Sequence, residues 1–227
     1  MMNSKMNEFE KIFKKKNIDA GVKQLQAKIG LKESFFKSLL YDTDDWSFVI
    51  KLHALIEAVC ASLLTFHFNE PKLGNIFSRL ELSDKAKGKV RFLEETGLID
   101  KFDKKFIYAL SELRNKLVHD VKNCNIKLND LTQSYDKNQM KNFAYNFGIL
   151  EARSNHFNNV AKGLGISSSK RINDIDFLNI AKEYPKFHIW NGAYNFLIII
   201  SETFFYSDYL QSVKGKQLED RNSEDIL

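Results

Sequence analysis

Chain breakers are scarce: the 227 residues include only 10 glycines and 2 prolines. A sheet of several strands needs turn residues at each reversal, and too few are present, so the chain reads as all-α. Cysteine is equally scarce. Cys60 and Cys124 form no C-x-x-C or other metal-ligand spacing, so neither a metal nor another cofactor is expected. Cys60 lies in an apolar helical run, where a reduced, buried thiol is expected. Long apolar runs are missing too. The most hydrophobic window, FLIII (196–200), is flanked by Asn195 and Glu202, far short of the roughly 18–20 residues that cross a bilayer. The opening MMNSKMNEFEKIFKKK carries charge but no apolar signal core. The expectation is a cytoplasmic chain with no membrane contact.

Apolar side chains and aromatics are plentiful. They make up 44% and 13% of the chain, with 19 phenylalanines, which supplies a real core and excludes a disordered chain. The net charge of +5 is unevenly spread. Residues 1–40 hold nine lysines against four acids, and residues 71–122 hold twelve basic against eight acidic side chains. A local basic bias suits a polyanionic partner, although a solvated face gives the same count.

Periodicity and capping residues organise the chain into helices. The first 40 residues read as one or two, with Lys14–Lys16 and Gly21 as interruptions. Asp42, Thr43, Asp44 and Asp45 offer N-caps for the helix WSFVIKLHALIEAVCASLLTFHF, whose Val49, Leu52, Leu55, Ile56, Val59 and Leu63 recur at helical spacing. NEPKLG (69–74) ends it. Ser83 and Asp84 are candidate caps for a helix through about Glu95, stopped at Gly97. Asp100 or Asp103 opens the next. Longer helices are expected over about 136–162 and 186–210, with a loop at 163–173. No internal repeat or Gly-rich phosphate loop is present. The expected architecture is a bundle of about five to seven helices over 42–211. A basic helical extension (1–41) precedes it and a polar flexible tail (212–227) follows.

One stretch carries chemistry: SELRNKLVHD, 111–120. At about 100° per residue, Phe102, Phe106, Leu110, Leu113 and Leu117 form one apolar stripe, with Arg114 at its edge. Asn115 and His119 lie on the opposite face, where a core histidine would not be. With 6 Arg, 20 Asn and 5 His in the chain, an Arg-Asn pair followed by His at this spacing is expected only about 0.01 times by chance. Histidine titrates near neutrality and moves protons, while the arginine fork holds phosphoryl oxygens in two-point geometry. Arg114, Asn115 and His119 are the candidate site residues, and Lys116 and Lys122 candidate contacts for a polyanionic partner such as a nucleic acid.

LRNKLVHD resembles the R-N-x-x-x-H signature of the HEPN superfamily, helical bundles that include RNA-cleaving toxins and defence effectors. The order HALIEAVCASLL, IFSRLELSDKAKGKVRFLEETGLID, ALSELRNKLVHD is similar to its mannitol repressor-like branch, over roughly residues 42–122. The resemblance implies a homodimer in which two motif helices meet at a cleft, with Arg114 and His119 acting on RNA there without a metal and Asn115 orienting the site. Implied partners are RNA, a second copy of the chain and, for a toxin, an antitoxin or other regulatory protein. Members silenced by a nucleotidyltransferase antitoxin often carry Tyr two positions after the His; here Val121 stands there, so that mode is not supported. Asp120 either tunes His119 or begins the helix exit. The mannitol repressor-like layout equally allows a non-catalytic regulatory or binding module.

Other residues carry less. His53 and Glu57 lie four apart but lack further metal ligands, and Glu57 is placed to reach across and pair with Arg114. His156 and His188 have no evident partners and read as structural or surface residues. FHIWNGAYNF (187–196) reads as packing. Lys85, Lys87, Lys89 and Arg91 fall on several helix faces, so a phosphate track along them is weakly indicated.

Overall fold

The computed structural model describes residues 18–154 and 174–224. Among them every regular element is helical, with no strand. Ten α-helices and two 3₁₀ helices are bounded, and eight of the ten begin within 42–211, against the five to seven expected there. The helix expected through about Glu95 is present as α5 (Lys89–Glu95); those not read are α4 (Gly74–Arg79), α7 (Leu128–Gln133), α9 (Asp174–Glu183) and the 3₁₀ turns Pro71–Leu73 and Val121–Asn125.

Four helices build the centre. These are α3 (Asp45–Phe68), α6 (Lys101–Val118), α8 (Lys137–Phe147) and α10 (Pro185–Glu224); α3 packs on α6, α6 on α8, α8 on α10 and α10 back on α3. Phe106 of α6 joins three walls at once, with its ring 5.9 Å from Phe147 and 5.5 Å from Phe196. The apolar face of α3 is buried as its periodicity predicts, with Leu55 only half-buried. Contrary to the reading that 196–200 is the most apolar window, α3 is the one described helix long and apolar enough to cross a bilayer, and half of its most apolar window is buried in this core.

Caps fix the starts. Asp44 opens α3, accepting from the N–H groups of Trp46 and Ser47, and Asn69 closes it in the left-handed region at φ 51°. Asp100 and Asp103 both open α6, as partners in one capping box. Asp84 instead accepts from Ala86 and Lys87 within a turn, so α5 starts at Lys89, later than the Ser83 or Asp84 cap suggests. The helix expected over 136–162 begins as read, on Asp136, but breaks at Gly148, where a side chain would run into Phe177. Residues 149–154 resume helix; the rest of that segment, the 163–173 loop and His156 lie outside the described residues.

The boundary at residue 41 is not a boundary in the packing. α1 (Ile18–Ile29) and α2 (Glu33–Tyr41) lie against α10, and Val22, Leu25 and Phe36 belong to the common core. Phe36 stacks on Trp190 at 4.6 Å, and the Trp190 Nε1–H donates to the Phe36 carbonyl at 2.9 Å. The basic count of this segment hid its apolar face. Gly21 does not interrupt α1: it lets Tyr194 of α10 approach so closely that a methyl group there would overlap the phenol oxygen. The Lys14–Lys16 cluster lies outside the described residues. α10 continues to Glu224, past the Leu210 end expected. α9 (Asp174–Glu183) packs on α7, α8 and α10.

Candidate functional site

Two tie points set the register of α6 on α3. The Trp46 indole N–H donates to the Leu117 carbonyl at 3.2 Å, and His53 Nε2 lies 3.2 Å from Ser111 Oγ. The helices therefore run antiparallel, and Arg114 falls between those levels. Leu110, Leu113 and Leu117 face the core, Arg114 is half-buried at the edge, and Asn115, Lys116 and His119 are exposed. The faces are those the spacing predicts.

Arg114 donates from Nη1 to Asn115 Oδ1 at 3.0 Å, and among the described residues it has no carboxylate partner. Glu57 does not pair with it. That carboxylate is taken by Lys89, whose fully buried ammonium lies 2.7 Å from Glu57 Oε1 and also donates to the carbonyls of Leu80 and Ser78. Lys89 is therefore not part of a phosphate track, and Arg91 is engaged by Glu95 at 2.5 Å. An unpaired guanidinium beside an oriented amide keeps donors for an anion.

The C-terminus of α6 is closed by groups from three directions. The carbonyls of Asn115, Lys116 and Leu117 accept from the His119 N–H, the Asn123 amide and Trp46. His119 is thereby fixed at the C-cap with its ring in solvent. Asp120 starts the 3₁₀ turn Val121–Asn125, accepting from the Lys122 N–H at 2.9 Å, which is the helix-exit role. Lys122 is exposed one turn beyond the motif.

Arg114 and His119 are not brought together within one chain. Five positions put them about 7.5 Å apart along the axis and about 140° around it. Sequence reading missed the polar neighbourhood on the Arg114 side. His53 has its imidazole pushed below the ordinary 6.5, first by burial and then by Arg114 and Lys89, with Glu57 acting the other way. The signal was present as His53 and Glu57 four apart on one helix, but nothing in the sequence aligned them with Ser111. No group of three or more His, Cys, Asp or Glu side chains among the described residues could hold a metal ion. His188, read as structural or surface, is structural: it is buried, with Nε2 2.8 Å from the Ala144 carbonyl. Cys60 is buried and reduced, its thiol pushed up by burial, while Cys124 is exposed.

Comparison with protein-family models, with curated proteins and with solved structures found no match to the chain.

Proposed function

We propose that the protein is a metal-independent endoribonuclease of HEPN type, a toxin or phage-defence effector, with a composite site where the α6 helices of two copies face one another. The observation that carries this reading is Arg114. It stands half-buried, braced by Asn115 and without a carboxylate among the described residues, on the same helix as an exposed histidine. A structural arginine of this burial ordinarily finds a carboxylate, as Arg153 does.

In the reaction, His119 of one copy takes the proton of a ribose 2′-hydroxyl. The 2′-oxygen bonds to the adjacent phosphorus, and the bond to the 5′-oxygen breaks. Histidine on the second copy protonates that leaving oxygen, and both Arg114 side chains neutralise the equatorial oxygens. The products are a 2′,3′-cyclic phosphate and a 5′-hydroxyl end. Because one helix cannot aim both groups at one phosphate, the dimer belongs to the chemistry.

Induced expression of wild type and His119→Ala in a bacterial host tests it, scored by growth and total RNA integrity. Arrest with RNA fragmentation, abolished by the single change, is expected. Equal growth and intact RNA from both would sink the enzyme reading. It would favour a non-catalytic HEPN-like binding module, in which Arg114 and Asn115 brace the dimer and Arg114→Ala alone dissociates it.

A further inference from the structure

On the other side of the motif, α6 and α8 separate to leave a groove of about 340 Å³, near the lower end of ligand-pocket sizes and suited to one nucleotide. One wall is Glu112 and Lys116 of α6. The opposite wall is a line of amides on α8: Gln139, Asn142 and Asn146, three and four residues apart. Helical spacing puts all three on one face. The groove also holds the half-buried ring of Tyr135, packed 5.8 Å from Phe143, with the Lys116 ammonium 6.0 Å from the Tyr135 ring centre.

The polar groups here are largely unused by the fold. Among the described residues the Asn142 and Asn146 side chains make no hydrogen bond and Glu112 makes no ion pair. Gln139 gives its oxygen to the Asp136 N–H at 3.0 Å, which leaves its amino group free to face the groove. Three amides in a row contribute little to folding on a helix surface. Beside an aromatic ring and a cation they make a surface with both donors and acceptors, which is how unstacked RNA bases are read.

We infer that this groove is a nucleobase subsite beside the cleavage centre, and that it selects guanine. This rests on the ribonuclease reading above. Lys116 follows Asn115 directly and lies one helical turn before His119, so a base in the groove belongs to a nucleotide neighbouring the phosphate held at the motif. Tyr135 offers a face for stacking. Glu112 is the one carboxylate in the groove wall, and guanine presents two donors, N1–H and the N2 amino group, side by side on one edge. Uracil and adenine do not offer two adjacent donors to a carboxylate. The α8 amides complete the match by donating to guanine O6 and N7, and Lys116 offsets the Glu112 charge near the RNA backbone.

The test uses full-length His119→Ala, so that RNA survives, with two fluorescein-labelled probes read by anisotropy. One is a uridine dodecamer and the other the same strand with a single central guanosine. The guanosine probe should bind about tenfold tighter, as one good two-point base contact provides. Adding Glu112→Gln or Asn142→Ala should bring the two probes to equal affinity, with the melting temperature unchanged because both residues are exposed. Binding of both probes with no preference, or a preference that survives both substitutions, overturns the subsite and leaves the ribonuclease reading standing. Failure to bind either probe overturns that reading and the subsite with it. A change in oligomeric state on Asn142→Ala without a change in preference also overturns it, and makes the groove a protein-contact face.

Discussion

The two ends of α6 treat charge in opposite ways. At the N-terminus both acids pair with an arginine, although Asp103 Oδ1 is buried without a hydrogen-bond partner among the described residues. Asp100 caps the helix and accepts from Arg153 Nε at 3.0 Å, while the nearly buried Asp103 lies 2.8 Å from Arg153 Nη2. Burial works against the Asp100 carboxylate, but the Asp103 N–H and Arg153 hold it below its ordinary 3.8; at Asp103 burial wins and its carboxyl is raised. At the C-terminus Arg114 donates to a neutral amide and has no carboxylate partner among the described residues, and Asn115, Lys116 and His119 face solvent. One end spends its charged groups on holding the fold, and the other leaves them available for a ligand. A half-buried cation without a counter-ion is a cost to stability that structure alone does not explain.

The largest test of that contrast is activity. In the proposed reaction Arg114→Ala and His119→Ala should each lower RNA cleavage about a thousandfold, the size of effect that loss of a charge-stabilising donor produces. Next comes Arg153→Ala, which strands Asp103. It should cost about 3 kcal/mol in urea unfolding, toward the low end for breaking a buried pair because Arg153 is partly exposed. Equal stability for Arg153→Ala and wild type would erase the distinction between the ends. Asp100→Ala removes the cap of α6 as well as one arm of that ion pair, and should cost about 1–2 kcal/mol in the same assay.

The smallest effect is pH-dependent and links Arg114 to the core. Because burial depresses the His53 imidazole in the fold, the unfolded chain takes up its proton first. The stability from a neutral His53 is therefore fully present above the ordinary 6.5 and declines as pH falls below it toward the folded value. Melting temperatures between pH 7.5 and 5.5 should fall less for His53→Gln than for wild type. In Arg114→Ala, His53 should titrate at higher pH by NMR, since a depressing cation is gone; an unmoved titration would place Arg114 away from His53. Arg114→Ala should itself change stability by no more than about 0.5 kcal/mol.

Much of the helical layout was readable because it depends on local rules. Asp44 and Asp100 are among the candidates offered for the caps they supply, the helix begun at about Asp136 does start there, and the apolar stripe of α6 is the buried one. What failed was non-local. Gly21 reads as a possible break and Gly148 as helix interior, and both outcomes are reversed. One sits inside a helix against Tyr194 and the other ends a helix against Phe177, and each outcome depends on an aromatic ring far along the chain. Glu57 reads as a partner for Arg114. Lys89 took it because the turn at 84–88 buries that ammonium beneath α3.

The sequence alone determined the helical class, the faces of α6 and the exposure of Asn115 and His119, because helical period and capping act within a few residues. Only the tertiary structure decided which charges are satisfied. The register of α3 against α6 set His53 on Ser111, and the packing of the start of α5 against α3 gave Glu57 to Lys89. The spacing of α6 from α8 opened the amide-lined groove. Ion pairing and cavity shape depend on distances between segments remote in the chain, and no local pattern encodes them.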